Sequence, residues 1–352
     1  MGMPDFLRAF LVPIQDLIAD PTVSEIAYNG DRSTHPLWIE RGGRMVEDTR
    51  PLAADTVVNL ISVLARSVGR EVQSAAGPEA LLDARMEGFR VAAVLPPVAI
   101  HGPVFSIRRH ADRRIPLASY FPEEDPDRPT AIFADPSTAV SLATRAEMLD
   151  WLGLLLSKPV NVIVSGGTST GKTSFINSLI GGIPTEERVL TLEDTAELKV
   201  EAPNCVALEA HPDNGLTLRH LVRMALRLRP DRILVGEVRG AEAFDLMQAL
   251  NTGHSGAATL HANSATEALH RLETLVLTAN VGWPPLAIRK QISRTVDYVV
   301  QLTRSKGRRE VSEVIALRGA DDEGTYRFDR LWPPDHSRHA NPVSPTLVRS
   351  CQ

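Results

Sequence analysis

Three groups of residues could do chemistry together: a glycine-rich loop ending in Lys-Thr, two acidic strand ends, and a pair of histidines. The loop is Gly166-Gly167-Thr168-Ser169-Thr170-Gly171-Lys172-Thr173, followed by Ser174. A G-x-x-x-x-G-K-T loop turns backbone N–H groups inward, and its glycines let that backbone close on a phosphate chain. Lys172 then reaches the β- and γ-phosphates, and the Thr173 hydroxyl is placed to hold Mg²⁺. The flanks are those this chemistry needs. Val160-Asn161-Val162-Ile163-Val164 is a short β-branched run that reads as a buried strand. Residues 174–180 have helical spacing and stop at Gly181-Gly182. A helix starting there adds the positive end of its dipole to the phosphate site. The loop implies a nucleoside triphosphate ligand.

The second group is acidic. Arg188-Val189-Leu190-Thr191-Leu192 reads as a buried strand, and Glu193, Asp194 and Glu197 follow it. Acids at the carboxyl end of such a strand sit in the crevice where α/β proteins bind ligands. Ile233-Leu234-Val235 reads as another such strand and leads to Gly236-Glu237-Val238-Arg239. The aspartate usual on the metal side is replaced by Gly236, which leaves Glu237 as the acid. A glutamate there can polarise an attacking water. His254 and His261 bracket a strand-like segment. By residue type alone each is equally well read as a buried, hydrogen-bonded structural group. No C-x-x-C or H-E-x-x-H occurs, so no transition-metal site is expected.

The elements that must position these groups make an α/β domain over residues 151–332. Thr217 opens a helix with Arg219, Arg223 and Arg227 on one face, Pro230 ends it, and Ser264 to Glu267 forms a capping box for another helix. Residues 286–331 add a helix and three strand-like pieces. Upstream, residues 1–110 read as a smaller α+β domain. It has a helix ending at Asp20-Pro21, strands near 24–28, 37–40, 44–46, 90–95 and 104–108, and a helix around Val57–Ala65. Residues 111–150 carry Pro116, Pro122, Pro126, Pro129 and Pro136 and read as an extended, exposed linker. Residues 333–352 lack apolar periodicity and read as a disordered tail.

At 352 residues the chain has room for two cores, and its net charge of −5 weighs against a surface mainly for nucleic acid. No sequence-specific nucleic-acid binding is expected. Two cysteines are too few for a disulfide framework. No apolar run reaches the ~20 residues of a membrane span, and no signal peptide is read at the start.

Together these blocks resemble the secretion-ATPase superfamily, and within it the type IV secretion (VirB-type, conjugative transfer) traffic ATPases. The resemblance rests on the phosphate loop, Leu192-Glu193-Asp194-Thr195, residues 229–240, Gly253-His254-Ser255-Gly256 and His261-Ala262-Asn263. Residues 20–30, Leu95-Pro96-Pro97 and Phe105-Ser106-Ile107-Arg108-Arg109 resemble that family's amino-terminal domain. The glycine at 236 is that family's habit. The resemblance implies a RecA-like P-loop NTPase domain preceded by a smaller α+β domain, and hydrolysis of ATP. It implies Lys172, Glu193, Glu237, Arg108 and His261 as catalytic residues, Arg90 and Arg108 on the phosphates, and Thr173, Glu193 and Glu237 around Mg²⁺. It further implies a homo-hexamer, peripheral on the cytoplasmic face of a bacterial inner membrane and working with the inner-membrane and coupling components of a type IV secretion system. Pilus motors and type II secretion ATPases share this engine, but the four-cysteine motif frequent in the latter is absent. A GTPase would carry an Asn/Thr-Lys-x-Asp tetrapeptide, and the chain has none.

Overall fold

The computed structural model describes residues 12–30, 36–86, 88–109, 114–121, 144–305 and 308–333. The chain divides into two compact units, Met1–Arg113 and Arg114–Gln352. The start of the expected first helix, most of the Pro-rich stretch and the tail beyond Pro333 lie outside the described residues.

In the first unit six strands form one antiparallel sheet: β1 (Val23–Tyr28), β2 (Leu37–Arg41), β3 (Arg44–Asp48), β4 (Leu81–Met86), β5 (Phe89–Val94) and β6 (Val104–Arg109), ordered β3-β2-β1-β6-β5-β4. Alternation fixes its faces. Ile26, Tyr28, Leu37, Ile39, Val91, Ala93, Phe105 and Ile107 are buried in one cluster with α2 (Ala54–Ser67), a helix that contributes Val57, Leu60, Ile61 and Leu64 at helical spacing. A short helix, α1 (Gln15–Ala19), adds Leu17 to the same core. Strand β4 had no expectation from the sequence.

The second unit is an eight-stranded sheet covered on both faces. Its strands are β7 (Asn161–Gly166), β8 (Val189–Glu193), β9 (Cys205–Glu209), β10 (Arg232–Val235), β11 (Ser255–Leu260), β12 (Tyr298–Ser305), β13 (Arg308–Ala320) and β14 (Tyr326–Trp332). The order is β14-β13-β12-β7-β11-β10-β8-β9; β12 through β9 in that order are parallel, and β13 and β14 are antiparallel additions. Every residue of β7, β8, β10 and β11 is buried. That is why these strands read as unbroken apolar runs rather than alternating ones. One face carries α3 (Arg145–Leu155) and α4 (Lys172–Leu179). The other carries α5 (Leu218–Ala225), α6 (Glu242–Asn251), α7 (Ala265–Thr278) and α8 (Pro285–Thr295).

Two local expectations change. The stretch read as an exposed linker contains Tyr120 and Phe121, which are 1% and 4% exposed. Tyr120 meets Phe175 of α4 edge-on at 5.0 Å and Phe121 meets Trp332 at 5.4 Å. Burial of two large rings outweighs the extended bias of the neighbouring prolines. At α7, Ser264 accepts from the Glu267 backbone N–H at 3.1 Å, but Glu267 reaches back to the Asn263 backbone N–H, so the box closes one residue early.

Candidate active site

The parallel register sets the chemically interesting residues in a row at the carboxyl edge of the sheet. Leu260 of β11 pairs with Ser165 of β7, while Val235 of β10 pairs with Ala258 of β11 and Leu192 of β8. The next residues are therefore neighbours: Gly166, His261, Gly236 with Glu237, and Glu193. Thr259 ties two of these ends, its hydroxyl donating to the Gly236 carbonyl at 2.5 Å.

The loop between β7 and α4 uses left-handed backbone, with φ of 87° at Gly171 and 61° at Ser169. Thr170 closes it by donating to the Gly167 carbonyl at 2.9 Å. Lys172 is buried. Its ammonium donates to the Gly166 and Gly167 carbonyls at 3.1 and 3.0 Å and lies 3.3 Å from His261 Nδ1. An ammonium only donates, so Nδ1 accepts and the imidazole proton belongs on Nε2. That nitrogen is 2.9 Å from Glu237 Oε1. Lys172, His261 and Glu237 form one chain of contacts.

Glu237 Oε2 accepts from Arg239 at 2.8 Å. Its Oε1 is buried and has no aligned hydrogen-bond donor among the described residues; the His261 contact is close but off-axis. Burial alone would raise the Glu237 carboxyl, yet the Arg239 hydrogen bond and charge, with His261 and Lys172, outweigh it and hold the group below its ordinary value. Burial lowers His261, and Lys172 lowers it further against the opposing pull of Glu237. At neutral pH the pair is a carboxylate beside a neutral imidazole.

Gly236 and Glu193 are one device. Glu193 is 2% exposed, and its Oε1 accepts from the backbone N–H groups of Glu197 and Leu198 at 2.9 and 3.0 Å. A Cβ at position 236 would stand 2.9 Å from Glu193 Cγ. The glycine is required because the glutamate fills the room a side chain would need. The acidic loop after Glu193 is docked on α4 by Asn177, which donates to the Glu197 carbonyl at 3.1 Å and accepts from Lys199 N at 2.8 Å.

His254 stands at the opposite end of β11, where Nδ1 lies 3.2 Å from the Ala249 carbonyl and 3.3 Å from the Thr252 hydroxyl. Its role is to finish α6. Arg219 and Arg223 both grip Asp245 of α6, at 2.6 and 2.7 Å. Sequence reasoning missed Gln301. This buried residue of β12 accepts from Ser165 at 2.5 Å and donates to the Ala262 carbonyl at 3.2 Å, which ties the β7 end to the segment after His261. Its signal was a glutamine within Val299-Val300-Gln301-Leu302.

In the first unit Arg90 and Arg108 face each other in register across β5 and β6, on the side away from the core. Arg90 pairs with Asp83 at 2.9 Å, and Arg108 is exposed. Arg109 points the other way. It donates to the Ile18, Asp20 and Val23 carbonyls and lies 4.7 Å over the Phe89 ring.

A phosphate loop at the carboxyl edge of a doubly covered parallel sheet, with glutamates at the ends of β8 and β10 along the same edge, defines a P-loop NTPase. The model of the family Type II/IV secretion system protein matches residues 139–338, and the chain belongs to that family. The conjugal transfer protein TrbB of Rhizobium radiobacter is 36% identical over 310 residues, 85% of each chain. The type IV secretion system protein PtlH of Bordetella pertussis is 36% identical over 296 residues, 79% of this chain and 86% of that one. Among solved structures, the ATPase DotB of Legionella pneumophila superposes with a TM-score of 0.56 at 21% identity, over 92% of this chain and 83% of that one. The chain is a member of that secretion family and has its fold, a RecA-like domain preceded by a smaller α+β domain.

Proposed function

We propose that this ATPase splits ATP into ADP and phosphate to drive a type IV secretion or conjugal transfer machine. The relatives named above support the machine. The chemistry is supported chiefly by one observation: an ionised, buried Glu237 oxygen with no aligned donor, next to the loop lysine and a neutral histidine.

In this reading Lys172 leaves the Gly166 and Gly167 carbonyls for the β- and γ-phosphates, and the N–H groups of residues 166–174 surround them. Glu237 Oε1 takes a hydrogen bond from the attacking water and draws off its proton. His261, with its proton on Nε2 and Lys172 on Nδ1, links the loop to the base and reports whether phosphate is present. The Thr173 hydroxyl and the Glu193 and Glu237 carboxylates are oxygen donors of the kind Mg²⁺ prefers. Held there, Mg²⁺ would neutralise charge on the β- and γ-phosphates.

Arg90 and Arg108 are the first unit's contribution to the phosphates. Their shared face favours a joint role, and an exposed Arg108 has a fork free to swing toward an anion. The working form is a homo-hexamer on the inner membrane of a bacterium, held there by its secretion partners. No helix among the described residues is long and apolar enough to cross a membrane. The test is steady-state ATPase activity of the full chain with Lys172→Ala. Activity should vanish, and a variant working at the wild-type rate would refute the assignment of the loop.

A further inference from the structure

The sheet gives the phosphate loop two unlike flanks. On one side of β7 stand β11, β10 and β8, whose ends carry His261, Glu237 and Glu193. On the other stands β12, which pairs with β7 as far as Leu302 opposite Gly166 and then runs on to Ser305. The paired ends of β12 and β13 therefore reach past the carboxyl end of the P-loop strand, where an α/β sheet binds its ligand.

That overhang is basic. Arg304 and Arg309 stand opposite each other in the antiparallel register. Arg309 turns onto the loop: a Cβ built on Gly171 would fall 2.8 Å from Arg309 Cδ and 3.3 Å from its Nε and Nη1. Its charge also reaches Tyr120, where burial raises the phenol to about 12 and Arg309 pulls the other way. Tyr120 in turn packs on Phe175 of α4, three residues after Lys172. The guanidinium thus lies against the residue that precedes the loop lysine, near the start of the helix whose dipole favours anions.

We propose that Arg309 is a nucleotide-binding residue that pairs with the α- and β-phosphates from the flank opposite Glu237 and His261. The inference rests on nucleotide binding by the loop. Its direction follows from the sheet order. The γ-phosphate must face the water-activating Glu237, so the rest of the nucleotide lies toward the other flank. A cation there meets the phosphates that ATP and ADP share. An arginine suits the task because its planar fork holds two phosphate oxygens while its stem packs on Gly171.

The test titrates the full chain with ADP and with ATP, using two variants. Arg309→Met keeps an apolar stem against Gly171 and removes the charge, whereas Arg309→Lys keeps the charge. The Met variant should bind ADP and ATP alike more weakly, on the order of tenfold or more for a lost charge-assisted hydrogen bond. In turnover the loss should appear in KM rather than kcat, and the Lys variant should recover part of it. Three results overturn the proposal: a Met variant that binds ADP as tightly as the wild type, a loss of kcat alone, or equal losses in both variants that follow a fall in Tm. Lys172→Ala serves as control. A wild type that binds no ADP, or a Lys172→Ala protein that binds it equally well, indicts the loop assignment and not Arg309.

Discussion

Gly236→Ala should destabilise the second unit through a single side chain, Glu193. The new methyl carbon would lie 2.9 Å from Glu193 Cγ, 3.2 Å from Oε1 and 3.4 Å from Cβ. The first distance is well inside the ~3.5–4.0 Å optimum for carbon pairs. Glu193 has little freedom to yield, since it is buried and its Oε1 holds the backbone N–H groups of Glu197 and Leu198. Overpacking of this kind costs about 1–3 kcal/mol. Loss of one of those carboxylate hydrogen bonds would add ~1.5–3 kcal/mol. For a unit of this length each kcal/mol lowers Tm by roughly 2–4 °C, so overpacking alone should lower Tm by about 2–12 °C, and more if the hydrogen bond is also lost. Calorimetry or circular dichroism measures it. A double-mutant cycle assigns the cause, because in a Glu193→Ala background the same substitution should cost much less. An unchanged Tm, or an equal loss in both backgrounds, refutes the reasoning.

Two further outcomes follow from the site. His261 is lowered from 6.5 and Glu237 from 4.5, so each contributes fully above its unfolded value and loses that contribution as pH falls through the folded one. The ATPase rate should therefore stay flat down to about pH 6.5 and decline only below it; an acid limb centred above that value contradicts the neutral imidazole. In the first unit, Arg108→Ala should reduce ATPase activity without shifting Tm. Arg109→Ala should instead lower Tm by destabilising that unit by ~1–3 kcal/mol, as three carbonyls lose a donor. Activity loss greater for Arg109 than for Arg108, at equal folding, would sink this division of roles.

The engine was legible because its signals are local. The loop, its strand and its helix are contiguous, and both acidic strand ends announce themselves by apolar runs followed at once, or after a single glycine, by a glutamate. Long-range pairing was not legible. Gly236 read as a vacant metal position, and only the packed structure shows Glu193 filling the space beside it. Arg309 lies far along the chain from Gly171 and comes to it through the parallel pairing of β12 with β7. Gln301 was likewise hidden in an apolar strand. Alternation on β6 is what separates Arg108 from Arg109, since a strand sends neighbours to opposite faces. The buried Tyr120 and Phe121 defied the sequence reading because prolines around them speak for the backbone and say nothing of burial.

The central claim is that Glu237 activates the water, and Glu237→Gln tests it most directly. Glutamine keeps the size and the contact with Arg239 but cannot accept the proton. Titration with ATP and single-turnover hydrolysis should be measured on the same preparation. ATP should still bind, while hydrolysis should slow by ~10²–10⁴-fold. Undiminished turnover would contradict the account and pass the role of base to Glu193.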